Sequence, residues 1–317
     1  MTWDQASGWR GDDSLESTRR WMAEHGHDPE FVELLNLERE QRVLRGDIVA
    51  GILPVRELAE MAAGFAAAAL SGRAASWLAL GRCYRDGRIE RPITWPGRYP
   101  FADTDQAPVG AALRCFAEAA ELGDRQGVLM FASTSRDGSE EARRTALTYL
   151  AGLLDDDPDG VVAGWYGQVE YVLGDATGAV ATYERAASLG NADAMFELYV
   201  LHVTGDGVPA DGATAREWLL KAAESGQPRA LYNVGAGYAT GDGFPQDDAA
   251  AVDHYERAAK AGNAQAAATL GVMRLTGDMV PQDPKAAAEW FGQAESGGFE
   301  VEAWLRRLGL ERPGPTP

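Results

Sequence analysis

Residues 230–262 read ALYNVGAGYATGDGFPQDDAAAVDHYERAAKAG, and nearly the same text stands 36 residues to either side. Thr204, Thr240 and Thr276 keep this step. So do Pro209, Pro245 and Pro281, and also Asp211, Asp247 and Asp283. Ala215, Ala251 and Ala287 follow it, as do Gly226, Gly262 and Gly298. A catalytic site is rarely written three times in one chain, whereas a structural unit often is. Each copy reads as two helices. The first carries small and large apolar residues at helical spacing. The TGDG that follows stops it, because glycine takes turn geometry that other residues resist. The Asp column fits a helix N-cap, its carboxylate accepting hydrogen bonds from free amides. Pro284, directly after Asp283, suits the first helical position. The second helix carries an aromatic or Leu followed by paired small residues, and these let helices approach closely. One unit cannot bury its apolar face alone, and stacking neighbours completes the core. Asp206, Pro209 and Asp211 are therefore scaffold residues first.

Upstream, VAGWYGQVEYVLGDATGAVATYERAASLG (162–190) keeps the second helix in register without the longer loop. AASWLALGRCYRDG (74–87) matches 230–243, and its partner helix is AALRCFAEAAELG (111–123). Between them lies an insertion at 88–109. Residues 124–159 read as a degenerate copy. GFAAAALSG (64–72) matches the end of a second helix, so the array is expected to begin near residue 54. FEVEAWLRRLGL (299–310) reads as a closing first helix, and ERPGPTP (311–317) as a disordered tail. Residues 1–53 form an N-terminal helical cap in this reading.

The pattern A-x-Y-x-x-G-x-x-Y-x-x-G-x-G-x-P-x-D, then A-x-x-x-Y-x-x-A-A-x-x-G, resembles the Sel-one-like repeat, a relative of the tetratricopeptide repeat. The likeness is strong over 190–298, fair over 54–123 and 160–189, poor over 124–159 and absent from 1–53. It implies an all-α, right-handed α-solenoid of about six repeats over 54–310. It also implies a concave face lined by the first helices, whose usual work is binding proteins.

Composition bounds the function. Of 317 residues, 45% are hydrophobic and 24% charged, enough to bury a core. The N-terminal MTWDQASGWRGDD lacks the layout of a secretory signal, and the longest apolar run, MAAGFAAAAL, is too short to span a bilayer. A soluble, cytoplasmic protein is expected. Two cysteines, Cys83 and Cys115, make no disulfide framework and read as small core hydrophobes. The net charge is −19, from 48 acidic against 29 basic residues. Phosphate backbones and anionic lipid surfaces repel such a chain, which disfavours nucleic acid and membranes and leans toward a basic protein partner. Maintaining solubility explains the same acidity.

Carried over from tetratricopeptide geometry, one groove column holds Leu78, Trp165, Phe196, Tyr232 and Ala268. The column beside it holds Ala79, Tyr166, Glu197, Asn233 and Thr269. Trp165, Phe196 and Tyr232 make an aromatic ladder for a peptide or helix, with Tyr166, Glu197 and Asn233 beside it. Packing between repeats explains the same aromatics. The insertion is a second candidate, with Trp95, Tyr99 and Phe101 among prolines and arginines; it suits a partner, a second copy of the chain in a homo-oligomer, or apolar surface of the scaffold. Asp155, Asp157 and Asp159 open like a calcium loop, but the twelfth position is Tyr166 and Pro158 interrupts, so an acidic turn is preferred. His25 and His27 have no distant ligand pair at zinc spacing, and His202 and His254 fall in columns held elsewhere by Tyr238 and Trp290, so no metal is assigned. Phosphate-binding loops, nucleophile elbows and zinc-protease helices are missing, and no cofactor is implied.

Three functions remain. The first is a non-enzymatic adaptor holding a protein partner in the groove. The second is an acidic inhibitor or immunity protein covering the basic active site of one toxin or enzyme. The last is an enzyme without a recognisable motif. Stoichiometry and affinity separate the first two, and a turnover screen tests the third.

Overall fold

The computed structural model describes residues 73–86 and 109–312. The N-terminal cap, the start of the array, His25, His27 and the arm residues Trp95, Tyr99 and Phe101 lie outside the described residues, as does the tail from 313. Among the described residues there are thirteen α-helices and no strand. They fall into two compact units. One runs to Asp156 and includes Gln168–Leu173; the other comprises Asp157–Gly167 and everything from Gly174.

The first unit contains α1 (Ala74–Arg85), α2 (Val109–Glu121), α3 (Arg125–Ser135) and α4 (Glu140–Ala151). Consecutive helices pack on one another. Gly81 on α1 faces the fully buried ring of Phe116 on α2. The stretch 124–159, whose repeat pattern is faint, still folds as a helical hairpin. Asp124 accepts from the Gly127 amide at 2.8 Å and Ser139 from the Ala142 amide at 3.2 Å, so both helices have side-chain caps. Phe131 and Tyr149 meet edge to face at 5.3 Å.

The second unit holds the regular repeats. Helix α5 (Val161–Val172) enters it through its first residues. Then come α6 (Ala176–Ser188), α7 (Ala192–Thr204), α8 (Gly212–Glu224), α9 (Pro228–Thr240), α10 (Asp248–Lys260), α11 (Ala264–Thr276), α12 (Pro284–Ser296) and α13 (Val301–Leu308). From α6 to α13 each helix packs on its successor, and one core runs from Phe196 to Leu305. The Asp column caps the second helices as the sequence predicts. Asp211 accepts from the Ala213 amide, Asp247 from Ala250, and Asp283 from Lys285 and Ala286, each at 3.0 Å. Asn191, Gln227 and Asn263 cap the first helices, at 2.8, 2.7 and 2.8 Å.

Within a hairpin, helix approach depends on matched sizes. Gly235 lies under Tyr255, and Gly271 under Phe291. In the repeat before them these columns hold Tyr199 and Leu219, so the bulk sits on the other helix. Volume is kept while the large side chain changes sides, as close packing requires.

Candidate functional site

On α7, α9 and α11 a partly exposed face repeats with the hairpins. Its first-turn row is Asp193, Arg229 and Gln265, all exposed. One turn on, Glu197, Asn233 and Thr269 are half-buried, and the next row is Val200, Ala236 and Val272. Spacings of four and three residues put these rows on one helix face. On each helix the last of these rows is short and apolar, where the first is polar.

In the α9 and α11 hairpins the first-turn residue reaches back over the hairpin before. The Arg229 guanidinium lies 4.1 Å from the centre of the Phe196 ring, and its Nη1 donates to Glu197 Oε1 at 2.9 Å. One hairpin later, Gln265 Nε2 donates to the Tyr232 hydroxyl at 2.9 Å. Gln227, itself buried, donates to Asp193 at 3.3 Å. Asn263 makes the matching contact to the carbonyl of Pro228 at 3.2 Å.

This reach-back changes the expected ladder. Phe196 is 3% exposed and Ala268 fully buried, while Leu78, Trp165 and Tyr232 are half-buried. The column is thus not an open row of rings. Phe196 lies beneath Arg229, and Tyr232 packs against Tyr255 at 5.4 Å while holding Gln265 through its hydroxyl. Glu197, placed beside the ladder, is already paired. Tyr166 and Asn233 are half-buried, and Ala79 is buried. The covering row was not among the predicted site residues. Its signal was present in the sequence, since Arg229 and Gln265 each stand 33 residues after the ring they meet.

The sequence profile of the Sel1 repeat matches residues 109–124, 160–191, 192–227, 228–263 and 264–299. A Sel1 repeat protein from Oxalobacter formigenes is 35% identical over 97% of its own length and 40% of this chain, with a TM-score of 0.38. The chain belongs to the Sel1 repeat family. An immunity protein from Pseudomonas aeruginosa is 20% identical, covering 72% of this chain and 95% of its own, with a TM-score of 0.45. A protective antigen of uropathogenic Escherichia coli with the same repeat fold is 18% identical over 96% of this chain; this chain spans 63% of that protein, and the TM-score is 0.45. No curated protein matches.

Other singled-out residues serve the Sel1 scaffold. Asp157 is 6% exposed, and its two carboxylate oxygens accept from the Val162 and Ala163 amides at 3.0 and 2.9 Å. It caps α5, where a calcium loop would need it turned to the cation. Asp159 accepts from the Val161 amide at 3.2 Å in the same turn. Cys83 and Cys115 are each 1% exposed, and burial pushes the Cys115 thiol up, away from the reactive thiolate. His254 stacks on Tyr238 at 5.5 Å, and His202, in the Tyr238 column, is buried. Both histidines pack as their columns imply. Among the described residues no group of His, Cys, Asp and Glu is placed to hold a metal ion, and no helix is long and apolar enough to cross a membrane.

Proposed function

We propose that this Sel1 repeat protein is a non-enzymatic scaffold that holds a protein partner against the face of its first helices. Sel1 repeats are protein-interaction scaffolds. The observation that carries the reading here is the face itself. It repeats at one step over α7, α9 and α11, it is polar at one end and short-chained at the other, and even Val200, Ala236 and Val272, which pack against the core, stay partly exposed. Short side chains let a partner helix or strand lie close to the backbone. Half-buried Trp165 and Tyr232 supply aromatic edges of the kind that concentrate binding energy. The net charge of −19 favours a basic partner by steering its approach, an effect that weakens with salt.

The test is affinity capture from the source cell's lysate, with wild type beside a Trp165→Ala, Tyr232→Ala variant of unchanged helical content. Phe196 is left intact because it belongs to the core. One protein held by wild type and lost from the variant supports the face. Equal capture by both overturns it. Assaying the captured protein then separates an adaptor, which leaves its partner active, from an inhibitor, which abolishes one activity at equal stoichiometry.

A further inference from the structure

The contact between Arg229 and the preceding hairpin has the make-up of a ligand site with its ligand in place. The guanidinium stacks on an aromatic ring at 4.1 Å and donates to a carboxylate at 2.9 Å. A ring face and an adjacent carboxylate are what a protein offers to recognise an arginine rather than a lysine. The occupant here belongs to the same chain, 32 residues beyond the carboxylate it pairs with.

Three features point to exchange. The Arg229 side chain is 57% exposed although it is stacked and paired, so water and competing groups reach it. Exposed ion pairs and exposed cation–π contacts are individually weak, each worth about a fivefold change in occupancy or less. Charge is also left over. Asp193 and Glu197 stand one turn apart on α7, like charges at a spacing that destabilises a helix; Arg229 pairs with Glu197, while Asp193 accepts only a neutral amide, that of Gln227, among the contacts of the described residues. Finally, the next hairpin does without the charged arrangement. One step on, Gln265 and Tyr232 keep the geometry without any charge.

We propose that Phe196, Glu197 and Asp193 form an arginine-recognition subsite on the first-helix face, which Arg229 fills in the free protein and an arginine of the partner protein takes over on binding. This rests on the reading of that face as the partner-binding surface. The partner therefore presents an exposed arginine, and Arg229 sets its affinity by competition: the fraction of time it occupies the ring is the fraction by which partner binding is weakened.

The experiment uses the full chain and three blocked, fluorescently labelled octapeptides, (Gly-Arg)4, (Gly-Lys)4 and (Gly-Gln)4, followed by fluorescence anisotropy at low salt. The variants are Arg229→Gln, which copies Gln265 of the next hairpin and so keeps a residue the fold already accepts, Glu197→Gln in that background, and Arg257→Ala. Arg257 is an exposed cation on α10 whose removal changes net charge equally, away from the subsite. Wild type is expected to bind the arginine peptide in preference to the lysine one. Arg229→Gln should tighten the arginine peptide by about three- to tenfold, from the release of a surface pair and a stack, and Glu197→Gln should abolish that gain. The proposal is overturned if Arg229→Gln leaves affinity unchanged or lowers it, or if Arg257→Ala gives the same gain. It is equally overturned if the lysine peptide gains as much, or if neither protein binds the arginine peptide. Should lysate capture still respond to Trp165 and Tyr232 in those cases, the face stands and the subsite alone falls.

Discussion

Replacing Gly271 by alanine tests how closely these hairpins are packed. A Cβ at this position would come to 2.5 Å from Phe291 Cδ1 and 3.0 Å from Cζ, where ordinary contact needs well over 3 Å. The ring is fully buried and cannot swing into solvent. Overpacking of this kind costs about 1–3 kcal/mol. Against it stands a helix gain, because alanine is favoured over glycine in a helix interior by about 1 kcal/mol. Gly292, inside α12, isolates that gain, since a Cβ there meets nothing within 4 Å. The two variants share the helix effect and differ in the clash. Gly271→Ala should therefore melt below Gly292→Ala by roughly 2–12 °C, taking about 2–4 °C per kcal/mol for a cooperative unit the size of the second one. Gly292→Ala should melt above wild type. Adding Phe291→Leu to Gly271→Ala should recover part of the loss, because the Tyr199 and Leu219 pair already places the larger residue on the first helix. Calorimetry of the four proteins decides it. If Gly271→Ala melts at or above Gly292→Ala, the close approach of α11 and α12 is misjudged and the packing argument fails.

Asp247→Ala removes the cap on the Ala250 amide and should cost about 0.5–2 kcal/mol in urea unfolding, with Asp247→Asn costing much less. The Tyr255 phenol is raised from about 10 to about 12, first by burial and then by neighbouring Tyr232. A raised value in the folded state means that this contribution is whole below pH 10 and is lost as pH climbs toward 12. The urea midpoint should thus fall between pH 9 and pH 11.5, and fall less in Tyr255→Phe, which keeps the ring and removes the titrating group.

Much of the scaffold was legible because each feature recurs at 36 residues and has a local cause. Asp211, Asp247 and Asp283 cap their helices whatever lies beyond, so their column could be assigned from chemistry alone. Pro284 at the start of α12 is legible for the same reason. The hairpin at 124–159 was harder. Its caps do stand in the repeat columns, Ser139 being 36 residues before the cap Asp175 and Asp124 following Gly123 as Asn191 follows Gly190, but the residue types change there and the faint apolar pattern between them hid the copy. The site was less legible than the fold. A column fixes which face of its own helix a residue occupies, and it does not say which neighbour will lie on top. Phe196 was assigned to the face by register, and the side chain that covers it comes from the next hairpin. Long flexible side chains such as Arg229 are placed by charge and ring chemistry across the hairpin boundary, and no single-repeat pattern carries that information. Gln265 on Tyr232 repeats the contact with different chemistry, which hides it further from a search for identical residues.

The central claim is that a protein partner lies on the first-helix face. Site-specific photo-crosslinking tests it most directly. A photoreactive phenylalanine analogue would be placed at Thr269 on that face and, separately, at exposed Asp253 on α10, and each protein irradiated in the source cell's lysate. The account predicts a discrete adduct from position 269 that is absent from position 253 and fades as salt is raised. An adduct from position 253 alone, or equal adducts from both, would contradict it.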